Sequence, residues 1–349
     1  MTETALRARK LVGADLERCI YCNGNSIRRE GKRRKKLESV QLWYCRDCDR
    51  TFTPQIAKGK TYPLKVVLEA LQVYYRGETR AQTSRQIQER FGIRIPARTL
   101  STWLAQYRDL TTYARLRTDI AASFPLRRVI RWVRLHHQQV YHYGIHKGKV
   151  AAILATREHQ KFQRMGDFLN DMAQSCPHGL FTAGSRASKA AMSFELDGVE
   201  IRVKRNHACR LAGFALQSVT HNRRRHDELQ RFMLTTDSVT VAVEVPIYLS
   251  SAELGALQRR YGLSQSDVAP SAVTGHIDFV QIRNGAIHVL DYKPGARQQK
   301  PIAQLMTYAL ALSQRTGLDL FDFVCAWFDE DGYFEFYPRQ VVRRRGSVV

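Results

Sequence analysis

The stretch Thr274–Lys293, TGHIDFVQIRNGAIHVLDYK, decides the fold of the carboxyl-terminal part of the chain. It holds two runs rich in apolar and β-branched residues, separated by the pair Asn284-Gly285. An Asn-Gly pair between two such runs is the strongest short-range signal for a β-hairpin. We therefore predict strands over Thr274–Arg283 and Ala286–Lys293, joined by a two-residue turn.

This turn determines which residues face each other across the hairpin. Counting back from it, Asp278 lies opposite Asp291, and His276 lies opposite Lys293. Opposed residues point to the same face of the sheet, with Cβ atoms roughly 4.5–5.5 Å apart. Lys293 shares that face with Asp291 because side chains alternate along a strand. Two carboxylates and one ammonium group are therefore expected to converge.

Two opposed carboxylates repel each other unless a cation lies between them. A hard divalent cation suits this arrangement, because Mg²⁺ commonly takes one or two carboxylate ligands together with water and substrate phosphate. A nearby lysine could orient or deprotonate a water molecule, or stabilise negative charge on a phosphate. The alternative is a solvated hairpin face on which Lys293 forms an ordinary surface salt bridge.

Three ordered motifs, Gly275-x-x-Asp278, Asp291-Tyr292-Lys293 and Gln304-x-x-x-Tyr308, resemble those of the PD-(D/E)XK nucleases, in particular the RecB-type branch. The resemblance covers about residues 206–338. It implies that Asp278 and Asp291 bind Mg²⁺ or Mn²⁺ and that Lys293 assists catalysis. It also implies that Gln304 and Tyr308 share one face of a helix that borders DNA.

RecB-type proteins often add a helical histidine upstream as a further metal ligand. We predict a helix over about Ala208–Leu234, on which Val219, His226 and Met233 form one inward stripe. Glu228 should point outward, so His226 is preferred over Glu228 and over His221.

Two other residues are candidates for the same role. Glu244 lies in a predicted strand, Val239–Leu249, and opposes the face that carries Val241, Val243 and Val245. His276 is the third candidate, because the hairpin register sets it beside Lys293. An ordinary core histidine is the alternative reading of His226.

The composition indicates a folded protein that binds a polyanion. The chain has 349 residues, 44% hydrophobic and 10% aromatic, so it can form two or three domains with cores of their own. With 55 Lys and Arg against 32 Asp and Glu, its formal charge is +23, which attracts nucleic acid. No apolar run approaches the ~20 residues of a membrane span. Met1–Lys10 does not resemble a signal peptide, so we expect a cytoplasmic, nucleoid-associated protein.

The amino-terminal segment contains two CxxC pairs, Cys19-x-x-Cys22 and Cys45-x-x-Cys48. Four thiolates in two such pairs are typical of a closed, structural Zn²⁺ site. The basic run between the pairs is expected to contact phosphate, through Arg33, Arg34 and Lys35. The alternative is a solvated, charged loop. The segment from about 18 to 54 resembles the zinc ribbon of insertion-sequence transposases.

The next segment has the spacing of a helix-turn-helix. Helices are predicted over Pro63–Arg76, Thr83–Phe91 and Pro96–Tyr107, with Gly92 in the turn. The last helix would enter the major groove of DNA. Its exposed candidates for base contact are Arg94, Arg98, Thr99, Ser101 and Thr102. A three-helix bundle without DNA contact is the alternative.

The segment Thr111–Arg205 is the least informative. Ile130–Tyr143 and Glu158–Gln174 are predicted as helices, and Phe194–Val203 as a hairpin around Asp197-Gly198. Its histidines, among them His136, His137, His142 and His146, do not match a metal-binding spacing, and Cys176, Cys209 and Cys325 are expected to serve packing. The arginines Arg127, Arg128, Arg131 and Arg134 could extend a DNA path. The segment connects modules or begins the nuclease fold.

These interpretations combine into one architecture: a multidomain chain with a small zinc ribbon, an all-α helix-turn-helix and an α/β restriction-endonuclease-like core with a mixed central sheet. The expected boundaries are residues 1–60, 61–118, 119–205 (unassigned) and 206–349. The expected function is a Mg²⁺- or Mn²⁺-dependent DNA endonuclease. The alternative is a non-catalytic DNA-binding regulator or mobile-element accessory protein. Expected partners are DNA, a second copy of the chain, or a recombination, transposition or helicase protein, and no membrane.

Overall fold

The computed structural model describes residues 18–53 apart from 20, 23 and 35–38, and residues 61–188, 194, 196, 199–219, 224–261 and 272–342. The strands in this part of the chain are β1 (Ile27–Arg34), β2 (Ser39–Cys45), β3 (Arg50–Phe52), β4 (Ile130–His137), β5 (Gln139–His146), β6 (Ser185–Arg186), β7 (Arg202–Lys204), β8 (Thr240–Ser250), β9 (Ala272–Arg283), β10 (Ala286–Tyr292), β11 (Phe323–Phe328) and β12 (Tyr333–Phe336). The α-helices are α1 (Leu64–Tyr75), α2 (Arg80–Phe91), α3 (Ala97–Gln106), α4 (Arg117–Ser123), α5 (Lys147–Leu154), α6 (Gln163–Ser175), α7 (His178–Ala183), α8 (His207–Ala215), α9 (Arg225–Thr236), α10 (Ser251–Tyr261), α11 (Ile302–Thr316) and α12 (Pro338–Val342).

The amino-terminal module is a three-stranded antiparallel sheet in the order β1-β2-β3. Its small core contains Cys19, Trp43, Cys45 and Phe52. The ring of Tyr21 packs edge-on against Phe52, with 6.0 Å between the ring centroids. So few apolar side chains provide little hydrophobic stabilisation, and small domains of this kind usually depend on a metal or on disulfides.

The three helices predicted after this module form as α1, α2 and α3. Helix α2 begins with a capping box, because the Thr79 side chain accepts the Gln82 backbone N–H and the Gln82 side chain accepts that of Thr79. It ends at Gly92, whose φ of 69° lies in the left-handed region that favours glycine. The predicted turn at Gly92 is therefore confirmed.

The main sheet has nine strands among the described residues. Their order is β4-β5-β8-β9-β10-β11-β12-β7, with β6 beside β9. The pairs β10–β11 and β6–β9 are parallel, whereas the other pairs are antiparallel. The predicted mixed sheet with helices is thus confirmed. Strands β4 and β5 fall in the segment left unassigned from the sequence, and they belong to this sheet.

Hydrophobic side chains bury both faces of the sheet in two clusters. The first cluster joins the sheet to α5, α6, α10 and α11. The second joins it to α8 and α9, and it also contains side chains of α1, α2 and α3. Tyr107, just after α3, contacts Phe214 of α8, with 4.7 Å between the ring centroids. The predicted helix-turn-helix segment therefore packs directly on the helices that cover the sheet.

Two predicted helices are wrong. Ile130–Tyr143 forms the hairpin β4–β5, because Leu135 and His137 are buried while Arg134 and His136 are exposed, a period of two rather than 3.6. Gln138 makes the turn at a φ of 59°. The single helix predicted over Ala208–Leu234 is instead two, α8 and α9, separated by a short 3-10 turn at Leu216–Ser218 and by residues partly outside the described range.

The remaining predictions for the middle segment are met in part. Glu158–Gln174 forms α6 after a 3-10 turn at Gln160–Phe162. The turn Asp197-Gly198 lies outside the described residues, and β7 pairs with β12. Within the described chain, no helix is long and apolar enough to cross a membrane.

Candidate active site

The hairpin β9–β10 has the predicted register. Arg283 pairs with Ala286, and the pairing continues to Phe279 and Leu290. Asn284 and Gly285 have φ values of 51° and 64°, the positive pair that a type I′ turn requires. Asp278 and Asp291 are the next residues beyond this ladder.

The two carboxylates meet where the hairpin pairing ends. The Tyr292 backbone N–H donates to Asp278 Oδ2 at 2.9 Å, so the Asp278 side chain reaches across to β10. Lys293 Nζ lies 2.7 Å from Asp291 Oδ2. The Asp291 side chain is 3% exposed and the Lys293 side chain 24%. The predicted convergence of the two carboxylates and the ammonium group is confirmed.

Burial and neighbouring charges together set the charge state of these groups. Desolvation, with the charge of Asp278, raises the pKa of Asp291 to about 7, although Lys293 opposes the shift. Burial acts to lower the pKa of Lys293, but the charges of Asp291 and Asp278 outweigh it and the net shift is upward. Lys293 is therefore an ammonium group at neutral pH. Asp291 is partly protonated at neutral pH in the absence of another cation.

Glu244 brings a third carboxylate to the same place. It is a non-glycine residue with a φ of 50°, in a region that costs free energy in a strand. Val243 pairs with Phe279 and Val245 with Ile277, so Glu244 is the residue next to Asp278 on the neighbouring strand. The irregular backbone at Glu244 also interrupts the alternation of side chains between the two faces of β8. Val243 and Val245 would share a face in a regular strand, but they belong to different hydrophobic clusters. The prediction that both share one face with Val241 is therefore wrong.

The environment of Glu244 disfavours its charged form. Burial and the charge of Asp278 raise the pKa of Glu244 to about 8. Its Oε1 accepts a hydrogen bond from Gln230 Nε2 at 2.8 Å, which fixes the orientation of the carboxyl group.

Helix α9 points two side chains at the carboxylates. His226 Nδ1 lies 3.4 Å from Asp278 Oδ2, and Gln230, four residues later on the same helical face, contacts Glu244. Burial acts to lower the pKa of His226, but Asp278 raises it on balance. Glu228 lies elsewhere, beside Lys65 and Phe232, and His221 is outside the described residues. Gln230 was missed from the sequence, although its i+4 spacing from His226 could have indicated it.

Helix α11 supplies the two residues of the third motif. Gln304 Nε2 donates to Tyr308 Oη at 2.8 Å. Burial raises the pKa of Tyr308, so its hydroxyl group is neutral. A Cβ atom at Gly275 would lie 2.6 Å from Tyr308 Cε1. Glycine at this position of β9 thus allows the tyrosine ring to pack against the strand, close to Asp278.

These residues line one cavity with a volume of about 390 Å³. Its wall includes the acidic residues Asp278, Asp291 and Glu244, and the basic or polar residues His226, Lys293, Gln304, Tyr308 and Arg186. Asp291 is buried, Asp278 and Glu244 are half-buried, and Lys293, Arg186 and His226 line the same cavity. A divalent cation would stabilise the ionised forms of the three carboxyl groups, and the donor set of carboxylate oxygens with one imidazole suits Mg²⁺ or Mn²⁺.

His276 does not take its predicted place beside Lys293. The β9–β10 ladder ends before these positions, and His276 pairs with Pro246 on β8. Its ring stacks on Tyr141 with 3.5 Å between centroids, and its Nε2 lies 2.9 Å from His137 Nδ1. Burial and the neighbouring His137 lower the pKa of His276 to about 3. It therefore belongs to an imidazole cluster on the cavity wall.

The middle residue of Asp291-Tyr292-Lys293 faces away from the cavity. Tyr292 Oη accepts a hydrogen bond from Arg225 Nη2 at 2.8 Å and donates one to Glu330 Oε1 at 3.1 Å. Arg225 also forms an ion pair with Glu330. Tyr292 thus ties the first residue of α9 to the β11–β12 turn, which helps to hold His226 near Asp278.

The four amino-terminal cysteines converge as predicted. Cys19 and Cys48 have sulfur atoms 3.7 Å apart, and Cys22 and Cys45 have theirs 3.6 Å apart. All four sulfur atoms lie within 4.8 Å of one another. With Zn–S bonds of about 2.3 Å, a tetrahedral site has edges of about 3.8 Å, so the cluster fits a structural zinc ion.

The predicted DNA-contact residues are mostly accessible. Arg33 and Arg34 are exposed on β1, and Lys35 lies outside the described residues. Arg94, Arg98 and Thr102 are exposed, whereas Thr99 and Ser101 are half-buried. The hydroxyl groups of Ser101 and Thr102 donate to the backbone oxygens of Ala97 and Arg98, at 3.0 Å each.

Comparison with known proteins identifies the family. Searches of curated proteins and of solved structures found no match. The sequence model of the PD-(D/E)XK nuclease superfamily matches residues 135–321, more than half of the chain. The match includes β5, β8, β9, β10 and α11, and with them Glu244, Asp278, Asp291 and Lys293. The chain therefore belongs to the PD-(D/E)XK nuclease superfamily.

Proposed function

We propose that the protein is a Mg²⁺- or Mn²⁺-dependent deoxyribonuclease that cuts phosphodiester bonds within DNA. The observation that carries this proposal is the convergence of Asp278, Asp291 and Glu244 with Lys293 in one cavity. Members of this superfamily are usually metal-dependent nucleases, and the charge of +23 favours a polyanionic substrate. We also assign the chain to the RecB-type branch, on its three motifs.

Asp278 and Asp291 would hold the catalytic ion. Glu244 and His226 are the candidates to complete its protein ligands, because each lies beside Asp278. When bound, the ion supplies Lewis-acid polarisation of the phosphate and a more acidic water molecule. His226 is the first choice for the additional ligand and Glu244 the second.

Lys293 would act as a fixed positive charge rather than as a base. A general base must be deprotonated near the working pH, whereas Asp291 and Asp278 raise the pKa of Lys293 above its ordinary value. Its ammonium group can therefore neutralise charge that develops on the phosphate. Arg186, on the wall of the same cavity, adds a second positive charge for the substrate.

Gln304 and Tyr308 would position the substrate strand. The Gln304 amide donates to the Tyr308 oxygen, which leaves the tyrosine hydroxyl hydrogen free to donate to a phosphate or carboxylate oxygen. Because burial raises the pKa of Tyr308, this hydrogen stays in place across the neutral range. Both side chains line the cavity with the carboxylates.

The amino-terminal segments would deliver the enzyme to its target. We assign phosphate contact to Arg33, Arg34 and Lys35 of the ribbon, and base or phosphate contact to Arg94, Arg98, Thr99, Ser101 and Thr102 around α3. A helix-turn-helix reads bases with the amino-terminal part of its second helix, and Arg98 lies in the first turn of α3. A DNA-reading part favours endonucleolytic cutting at chosen sites. We relate the ribbon to those of insertion-sequence transposases.

Cleavage assays test the proposal. The full chain is incubated with supercoiled plasmid, linear duplex, single-stranded DNA and RNA, with Mg²⁺, Mn²⁺ or EDTA. We expect metal-dependent cutting of DNA that Asp291→Asn lowers by at least 100-fold. The matched control is Asp171→Asn, an exposed aspartate on α6 that should retain wild-type activity.

Two outcomes would contradict the proposal. Wild-type protein that binds DNA but cuts it with neither metal would favour the regulator or accessory protein. Cutting that survives Asp291→Asn would place the activity at another site or in a contaminant. Cutting of RNA alone would reassign the substrate.

A further inference from the structure

We propose a second zinc site, held by His137 Nε2, Cys176 Sγ and His178 Nδ1, beside the nuclease cavity that His137 lines. This site is distinct from the four-cysteine cluster and from the carboxylate site, and it does not depend on the proposed nuclease activity. A water molecule would be the fourth ligand, since the described residues supply three protein donors to this group.

The three donor atoms converge on one point. His137 Nε2 lies 2.9 Å from His178 Nδ1 and 3.8 Å from Cys176 Sγ, and all three atoms lie within 4.8 Å of one another. With Zn–N bonds of about 2.05 Å and Zn–S bonds of about 2.3 Å, tetrahedral edges are about 3.3 and 3.6 Å. Shifts of a few tenths of an ångström would therefore accommodate the ion. One thiolate with two imidazoles selects Zn²⁺ over Mg²⁺ or Mn²⁺.

His276 completes the arrangement from the other side of His137. A histidine that binds metal through one ring nitrogen usually donates a hydrogen bond from the other, which fixes its tautomer. His137 Nδ1 lies 2.9 Å from His276 Nε2, in position for this bond. His276 in turn is held by its stack on Tyr141.

The surroundings hold His137 in one orientation. Its ring stacks on Phe181, with 4.0 Å between centroids and 12° between planes. The neighbouring Gln138 donates from Nε2 to the backbone oxygens of Phe181 and Gly184, at 3.3 Å each. Such fixed contacts lower the conformational cost of binding an ion.

The ligands join separate parts of the nuclease core. His137 ends β4, Cys176 directly follows α6, and His178 is the first residue of α7. His276, attached through His137, is two residues before Asp278 on β9. Zinc would thus fasten α7 to the sheet at the wall of the cavity and restrain the strand that carries Asp278. Without zinc, the three histidines would form only a chain of hydrogen bonds.

Metal analysis of the full-length protein tests the site. We expect two zinc ions per chain in the wild type, and one in Cys176→Ser, in His178→Ala and in Cys45→Ser. The matched control is His136→Ala, because His136 is exposed on the opposite face of β4 from His137. It should retain two ions. Zinc X-ray absorption should show mixed sulfur and nitrogen ligands in the wild type and sulfur alone in Cys176→Ser.

Several results would overturn the site. One zinc ion in the wild type would do so, as would two ions that persist in both Cys176→Ser and His178→Ala. A zinc absorption spectrum of the wild type that is fitted by sulfur ligands alone would also exclude the site. This measurement needs no variant, so it holds even if the variants do not fold. A further outcome is that the wild type holds one equivalent of another transition metal, which is lost in Cys176→Ser. That result would overturn the assignment to zinc.

Discussion

At the residue scale, the candidate active site brings three carboxyl groups together. Asp291 is buried, and Asp278 and Glu244 are half-buried beside it. Lys293 Nζ lies 2.7 Å from Asp291 Oδ2, and His226 Nδ1 lies 3.4 Å from Asp278 Oδ2. The pKa values of the three carboxyl groups shift in different directions. Burial and repulsion raise the pKa of Asp291 to about 7 and that of Glu244 to about 8. For Asp278, burial acts in the same direction, but the contact with His226 lowers its pKa on balance.

These shifts predict a pH-dependent affinity for the divalent ion. A bound ion needs ionised carboxylates, so it must displace a proton from Asp291 below about pH 7 and one from Glu244 below about pH 8. We expect the dissociation constant for Mn²⁺ to be at least about tenfold higher at pH 6 than at pH 8.5. Calorimetric titration in buffers of different ionisation enthalpy measures both the affinity and the protons released.

The same groups determine how stability should depend on pH. The pKa of Asp291 rises from about 3.8 to about 7 on folding, so between these values the folded state holds more protons than the unfolded state. The metal-free protein should therefore lose stability as pH rises through this window, and Mn²⁺ should raise the melting temperature more at pH 8 than at pH 6. Asp291→Asn should weaken both trends. An affinity for Mn²⁺ that does not change with pH would contradict this assignment.

Gly275 offers a second test at this scale. A methyl group there would meet the Tyr308 ring, so Gly275→Ala should displace the tyrosine from its place beside the carboxylates. We expect cleavage to fall about tenfold or more, because small misplacements at a reacting centre are costly. The control is Gly213→Ala in α8, where the added Cβ meets no atom within 4 Å. Gly213→Ala should raise the free energy of unfolding by about 0.5–1 kcal/mol and leave cleavage unchanged.

At the scale of elements, α9 supports the site through one helical face. Its His226 faces Asp278 and its Gln230 faces Glu244, while Tyr292 holds the start of the helix through Arg225. We expect His226→Ala and Gln230→Ala each to weaken Mn²⁺ binding about 10- to 100-fold, the range for groups that orient metal ligands. Arg231→Ala, exposed on the same helix, is the control for Mn²⁺ affinity. If all three variants bind Mn²⁺ as tightly as the wild type, α9 does not contribute to the metal site.

Local sequence predicted the hairpin well because its register depends on one turn. Asn284 and Gly285 both adopt positive φ, and this fixes every pair from Arg283–Ala286 to Phe279–Leu290. The cysteine pairs were equally informative, since two CxxC motifs bring four sulfur atoms together locally. The resemblance to the nuclease family implied a helix at Gln304 and Tyr308, and the four-residue spacing then put both side chains on one face of α11.

Other features depend on contacts between distant segments. The irregular backbone at Glu244 arises within a strand that reads as regular in the sequence. The cluster of His137, Cys176, His178 and His276 joins three segments, and no local spacing connects them. The hairpin β4–β5 was mistaken for a helix because its apolar residues also fit a helical spacing over a short window. No proline or glycine occurs between α8 and α9, so the sequence does not mark where one helix ends and the other begins.

At the scale of the whole molecule, the charge of +23 should govern DNA binding. Each arginine that contacts phosphate releases counterions, so affinity falls steeply with salt. We expect Arg94→Ala/Arg98→Ala to weaken binding and to reduce preference among DNA sequences, by about 1–3 kcal/mol for each arginine that reads a base. Fluorescence anisotropy over a salt series, with specific and unrelated duplexes, measures both effects.

The control for this test removes the same charge elsewhere. Arg259 and Arg260 are exposed on α10, outside the helices assigned to DNA reading. Arg259→Ala/Arg260→Ala should leave sequence preference unchanged, even where affinity falls slightly. If both double variants lose the same amount of DNA sequence preference, α3 does not read the DNA bases.

The central claim is that the opposed carboxylates of the hairpin hold one catalytic divalent ion. Anomalous diffraction from crystals of the full chain grown with Mn²⁺ tests it most directly. We predict a manganese peak in contact with carboxylate oxygens of both Asp278 and Asp291, and no such peak in Asp291→Asn crystals. A manganese peak elsewhere in the chain, or none at these two side chains at saturating Mn²⁺ and pH 8, would contradict the claim.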